Sequence, residues 1–342
     1  MKSNFIELEQ GAGGKKSEEL ISKIRKILDY TGQWKNTADD GAVLDLQSFW
    51  TWHVQKGHTT SFSASKLVFT TDAFIVDPLF FSGGDIGKIA ICGTINDLAV
   101  MGARPIGISL SLVIEEGFPE DDLLKIIKSI NDISRETRVP IVTGDTKVTE
   151  KGKIDKIEIT TSGVGLAGNI ISNGGARVGD VVISSGDLGE HTAAILASRF
   201  NYKTRVKSDS RPLVKEIQSV AKYLTACKDP TRGGSAAVLN EIAEKSKIKI
   251  VLDEKTLPFK KEVVAISELL GIDKFSFASE GRFVATVAKK DADKVIKILQ
   301  KYNSEAKIIG SVGRGRGVWL KTLIGSQKKI ETPRGKLVPR IC

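Results

Sequence analysis

TTDAFIVDPLFFSGGDIGKIAICGTINDLAVMGARP (Thr70–Pro105) passes from a strand-like run into a helix-like one and sets carboxylates on both sides of the change. Asp72 stands in a β-prone stretch, whereas Ile86, Ile89, Ala90, Ile95 and Leu98 recur at helical spacing behind Gly83-Gly84-Asp85. Asp85 is therefore expected to cap the helix. Asn96-Asp97 is a polar pair that an ordinary packing helix has no reason to carry inside, so Asp97 is expected to face a cleft or a metal.

The same alternation continues on both sides. Strand-like runs at Lys66–Val76, Ile157–Leu166, Asp180–Ser185, Ile248–Leu252 and Arg282–Val287 alternate with helix-period segments at Ser17–Leu28, Asp85–Met101, Asp121–Thr137 and Asp291–Lys301. The fold class is α/β (α+β). A length of 342 residues exceeds what one core usually serves. Ala167–Asp180, AGNIISNGGARVGD, has the turn chemistry of a linker. Two domains are expected, 1–168 and 169–330, followed by a tail over 331–342.

Composition narrows the function classes. The net charge is +10, but the cationic side chains are scattered among 41 acidic ones and aromatics make up only 6%. That pattern reads as a basic solvated surface suited to a polyanionic small substrate, not as a nucleic-acid interface. No apolar run approaches a membrane span and the N-terminus has no apolar signal region, so a soluble cytoplasmic chain is expected. Cys92, Cys227 and Cys342 are odd in number and far apart, which fits neither a disulfide framework nor paired metal ligands.

Asp-bearing motifs carry the chemistry. ADDGAV (Asp39, Asp40), TTDAF (Asp72), NDLAVMGARP (Asp97) and KDPTRGG (Asp229) each fall at the edge of an element. Mg²⁺ takes oxygen ligands, so a metal-nucleotide site needs several carboxylates converging from different elements. GAGGKKSEEL, with Gly13 and Lys15, leads a Gly/Lys segment into a helix and reads equally as a phosphate lid or a disordered leader; it matches neither a Walker A loop nor GxGxxG. VTGDTKVTE places Asp145 and Lys147 together in an expected turn, and FASEGRFVATV sets Glu280 before a β-prone run. His191, in the first turn of an expected helix, reads as a packing or capping residue. Gln47–Lys66 reads as an added hairpin; its His53 and His58 have no acidic or Cys partner nearby.

Taken in order, GAGGKKS, DDGAV, the Thr70–Pro105 stretch, GDTKV, KDPTRGG, SEG and the terminal PRIC closely resemble the HypE family of [NiFe]-hydrogenase maturation proteins. The resemblance runs from about Gly11 to Cys342. Its superfamily includes aminoimidazole ribonucleotide synthetase, selenophosphate synthetase and thiamine-monophosphate kinase. It implies a homodimer with a barrel-like interface between N-terminal domains and ATP bound in a cleft between the two domains. Mg²⁺ would be held by Asp40, Asp72, Asp97 and Asp229, with Asp39 sharing or replacing Asp40; Gly13, Lys15, Asp39 and Asp145 would bind the nucleotide. The implied reaction is ATP-dependent dehydration of a carbamoyl group on Cys342 to a thiocyanate. Glu280 would be the general base, and Lys147 would orient the group and neutralise charge. The carbamoyltransferase HypF would be donor and the HypC–HypD complex cyanide acceptor.

Two departures from the family pattern stand out: the Gln47–Lys66 insertion, and SDSRPL (Ser208–Leu213) in place of the more usual Ser-Asp-Cys-Ala-Pro-Leu. Neither is expected to touch the chemistry. Two rival readings remain, ATP-dependent phosphoryl transfer to a free small molecule and a non-catalytic thiol carrier. Ten residues from Pro333 to Cys342 reach at most roughly 33–36 Å, enough for a tail that moves between a partner and a cleft.

Overall fold

The computed structural model describes residues 5–6, 15–30, 32, 66–333 and 340–341. Two compact units emerge. One comprises Met1–Ile75, Asp85–Leu98 and Ala103–Gly168; the other comprises Val76–Gly84, Ala99–Gly102 and Asn169–Cys342.

In the first unit the elements run α1 (Lys15–Ile27), β1 (Lys66–Phe74), a short ribbon of β2 (Phe80–Phe81) with β3 (Gly84–Asp85), α2 (Ile86–Val100), β4 (Arg104–Glu115), α3 (Glu120–Thr137), β5 (Ile141–Thr149) and β6 (Ile157–Ala167). Parts of the ribbon and of α2 belong to the second unit. The sheet order is β1-β6-β4-β5. β1 and β4 flank β6 in antiparallel register, with Asp72 opposite Thr161, while β4 and β5 run parallel and are joined through α3.

Burial alternates along β6 and most of β4, as it must when only one sheet face is covered. On the covered side, α3 presents Leu123, Ile126, Ile127, Ile130 and Ile133 as one buried stripe. Each fully buried Ile or Leu contributes roughly 2 kcal/mol, more than any difference in helix propensity along the segment. Its first turn is acidic (Glu120, Asp121, Asp122), complementing the helix dipole, and it stops at Arg138 in the left-handed region with φ 59°. α2 is buried along nearly its whole length. The opposite sheet face is open: Leu67 and Phe69 are 66% and 65% exposed.

The second unit contains β7 (Asp180–Ser184), α4 (Glu190–Arg199), α5 (Val214–Val220), β8 (Leu224–Lys228), α6 (Gly234–Lys245), β9 (Lys249–Asp253), α7 (Lys261–Leu270), β10 (Val284–Ala288), α8 (Ala292–Leu299), β11 (Lys307–Gly313), β12 (Gly317–Lys321) and β13 (Gln327–Ile330). Its seven strands lie in the order β13-β12-β9-β11-β7-β10-β8; all pair antiparallel except β12 with β9. Adjacent residues serve opposite faces. Val182 and Val284 join Leu239 and Ile242 of α6, whereas Val181, Ile183 and Ala285 join Ile217 of α5 and Val295 of α8. A third apolar cluster ties α4 to α7 through Ala193, Leu196, Val263 and Ile266.

The expected strands and helices are present with ends moved by a few residues. The expected turn at Asp145 and Lys147 is not: both lie within β5. Gly144-Asp145 reads as turn chemistry, yet a Cβ on Gly144 would come within 2.4 Å of the Leu110 carbonyl oxygen. The glycine serves a close approach of β5 to β4, and parallel pairing overrides the local turn preference.

Candidate functional site

In the first unit, β1 and α2 bring two of the sequence-selected carboxylates to one crossing. Thr70 and Asp72 are two apart on a strand and share a face; Gly93 and Asp97 are four apart on a helix and share a face. A Cβ on Gly93 would lie 2.9 Å from Phe74 and 3.7 Å from Asp72 Oδ2, while Thr70 Oγ1 donates to Asp97 Oδ2 at 2.9 Å. The strand thus crosses the helix with Asp72 near Gly93 and Thr70 on Asp97. Both aspartates remain half-buried.

Asp85 has a different task. Its Oδ1 accepts from the Lys88 backbone N–H at 3.0 Å, the expected N-cap bond, and its Oδ2 accepts from Ser129 of α3. Burial raises the Asp85 carboxyl pKa, against the lowering effect of those bonds.

Asp145 and Lys147 project from the open sheet face. Asp145 pairs in register with Ser111 and Lys147 with Val113, and both side chains are exposed. Gly13, Asp39, Asp40 and Cys342, together with the 47–65 part of the added segment, lie outside the described residues; Lys15 opens α1, and its side chain is likewise outside them. Among the described residues no group of three or more His, Cys, Asp or Glu side chains is gathered to hold a metal.

In the second unit, the segments that carry Asp229 and Glu280 come together at one end of the sheet. Lys228 pairs with Val284, so Asp229 leaves β8 where β10 begins, and the Ser279 N–H donates to the Pro230 carbonyl at 2.8 Å. Both carboxylates are buried, at 4% and 2% exposure. Asp209 Oδ1 accepts the Glu280 backbone N–H at 2.9 Å, and burial pushes the Asp209 carboxyl up, opposed by Arg282. SDSRPL is therefore not remote from the proposed chemistry. Its aspartate holds the Glu280 backbone, and Arg211 donates to the Gly281 carbonyl at 3.3 Å and to Glu216 Oε2 at 2.6 Å.

Arg282 carries the charge balance beneath Glu280. It donates to Glu190 Oε2 at 3.1 Å, and Lys260 donates to Glu190 Oε1 at 2.6 Å. Burial raises Asp187, against the effect of Lys260, and burial drives Glu216 up to about 7 despite Arg211.

His191 of α4 is fully buried, and its Nε2 lies 2.6 Å from the Ile341 carbonyl oxygen, next to the chain's last residue. Burial holds its pKa down at about 4, the Ile341 carbonyl working in the other direction. The expectation that His191 is a packing or capping residue agrees with its burial but does not include this contact. Its contact partner lies 150 positions away, so no local signal could disclose it.

The chain matches the AIR synthase related protein N-terminal domain over residues 38–167 and the corresponding C-terminal domain over residues 177–321. It is 39% identical to the carbamoyl dehydratase HypE of Cupriavidus necator, across 100% of this chain and 96% of that one. A crystal structure of the hydrogenase maturation protein HypE in complex with ATP superposes with a TM-score of 0.89 at 33% identity, covering 98% of this chain and 99% of that one. A HypE–HypF complex structure gives a TM-score of 0.76 at 37% identity, over 82% and 99% of the two chains.

Proposed function

The chain belongs to the carbamoyl dehydratase HypE family within the AIR synthase related proteins, and from that membership we propose that it converts an S-carbamoyl group on Cys342 to a thiocyanate at the expense of ATP. The observation that carries this reading is the full-length likeness to an ATP-bound HypE. In the reaction the amide oxygen attacks the γ-phosphorus and ADP leaves. The C–O bond then breaks with phosphate as leaving group while both N–H protons are lost, giving S–C≡N.

Glu280 is assigned as the base that takes a nitrogen proton. A buried carboxylate at a sheet end, with its backbone fixed by Asp209, is preorganised for that role. Lys147 is assigned to orientation and charge neutralisation, and Gly13, Lys15, Asp39 and Asp145 to the nucleotide. Cys92 and Cys227 are both buried, which favours the terminal thiol as carrier.

Asp72 and Asp97 offer the hard oxygen donors that suit Mg²⁺, and Asp40 and Asp229 complete the proposed set. Bound there, the ion would neutralise phosphate charge. The domains are assigned as 1–168 for nucleotide binding and dimerisation, 169–330 as the second α/β domain, and 331–342 as the tail carrying Cys342.

The open sheet face, with Leu67 and Phe69 exposed, supports a barrel-like contact with a second copy. HypF is the proposed carbamoyl donor and HypC–HypD the acceptor. Among the described residues no helix is long and apolar enough to cross a membrane, in keeping with a cytoplasmic setting. Intact-mass spectrometry tests the reading: after carbamoylation by HypF, MgATP should remove the mass of one water from the C-terminal peptide. The same loss in Cys342→Ala, or none in the native chain, overturns it.

A further inference from the structure

The last two described residues of the tail, Arg340 and Ile341, are held by the second unit through their backbone. Ile341 forms an antiparallel bridge with Val76, and the Asp77 N–H donates to the Arg340 carbonyl at 3.1 Å. Arg199, at the end of α4, donates through Nη2 to that same carbonyl at 2.9 Å and to the Asp77 carbonyl at 2.7 Å, with Nε adding a bond to Asp77 at 3.0 Å. One guanidinium therefore clamps both strands of the bridge. The Ile341 side chain is only 5% exposed.

His191 reads the next carbonyl. The Ser208 hydroxyl accepts the Ser210 N–H at 3.2 Å and lies 2.7 Å from His191 Nδ1. Ser208 gives its own hydrogen to Nδ1, so the proton of a neutral ring sits on Nε2 and points at the Ile341 oxygen. Phe81 packs edge-on against the imidazole at 5.5 Å and 82°, fixing the ring plane. Arg340 has φ 57°, a left-handed conformation that a non-glycine residue adopts at a cost. The docked shape is thus not the tail's own preference; the surrounding donors impose it.

We infer that Val76–Asp77, Arg199 and His191 form a docking station that recognises the tail by its main-chain carbonyls and an apolar anchor, Ile341, and that His191 is the positioning residue that fixes where Cys342 begins. The inference deepens the reading of Cys342 as carrier and rests on it for its purpose. Two successive carbonyls and a bridged strand define both the register and the direction of the segment. A donor on the peptide unit adjoining the reactive residue limits how far its thiol can wander, which is where positional precision matters most for transfer.

The test uses the full-length chain and hydrogen–deuterium exchange read by mass spectrometry, with no carbamoylation needed. His191→Ala is expected to speed exchange at least tenfold at the Asp77 amide and in the peptide ending at Cys342, and His191→Gln, which keeps a side-chain N–H donor, to restore much of the protection. Ile341→Ser changes the tail and leaves the unit's core intact; it should release the same amides. Unchanged exchange in both His191→Ala and Ile341→Ser overturns the station. If the variants release the tail but the native chain with MgATP never loses water from its carbamoyl group, the station stands and the carrier reading fails. If dehydration proceeds in the native chain and is equally fast after His191→Ala, the positioning role fails.

Discussion

The carboxylates of the two units are held in contrasting ways. Asp72 and Asp97 are half-buried at a strand–helix crossing, and Asp97 is met by the Thr70 hydroxyl. Glu280 and Asp209 are buried, with Asp209 spending one oxygen on the Glu280 backbone. Half-buried carboxylates keep oxygens within reach of a cation, whereas burial raises the pKa of the Asp209 carboxyl. Burial thus separates the two sets of carboxylates.

The contrast is broken most directly at Glu280. Glu280→Gln removes the proposed base but keeps the shape, and the rate of water loss measured by mass spectrometry should fall about 10²- to 10⁴-fold while ATP binding persists. A rate within a few fold of native would show that proton removal lies elsewhere. Next in size is Arg282→Met, which leaves the Glu190 carboxylate buried without its guanidinium and should cost about 3–5 kcal/mol in urea unfolding. Little change there would mean that Lys260 alone satisfies Glu190.

Titration sharpens the comparison inside the second unit. Glu216, raised to about 7, binds more protons folded than unfolded, so its contribution falls as pH rises from about 4.5 to 7. His191, lowered to about 4, does the reverse: its contribution is present above about 6.5 and is lost as pH falls toward 4. The two slopes oppose each other over most of that window. Glu216→Gln should expose a stability that rises with pH between 4 and 6.5, and His191→Gln one that falls between 4.5 and 7, each measured by denaturant unfolding at stepped pH. Parallel profiles in both variants would assign the titration to other groups.

The smallest expected effect belongs to the hydrated pair. Asp72→Asn should weaken MgATP binding about tenfold by calorimetry and leave the unfolding midpoint nearly unchanged, because its side chain is only half-buried and its Oδ1 accepts the exposed Ala73 N–H. A large loss of stability instead would make Asp72 a structural residue.

What could be read from the chain alone followed the range of the physics involved. Asp85 as a cap and α3 as an amphipathic helix both arise from periodicity over a few residues, and the structure places them accordingly. Lys147 in a turn failed because Gly144 answers to β4, a strand about thirty residues earlier. Asp209 beneath Glu280 and His191 beneath Ile341 rest on contacts 71 and 150 positions apart. SDSRPL carries no local sign that it will hold Glu280.

The burial of Cys92 and Cys227 also bears on the survival of the product. A thiocyanate surrenders its cyano group as cyanide when a thiolate attacks its sulfur, forming a disulfide. Burial, with Asp229 adding to it, raises the Cys227 thiol well above its ordinary pKa, and Cys92 has no exposure at all. Burial thus withholds Cys92 and Cys227 as sulfur nucleophiles from a thiocyanate on the tail.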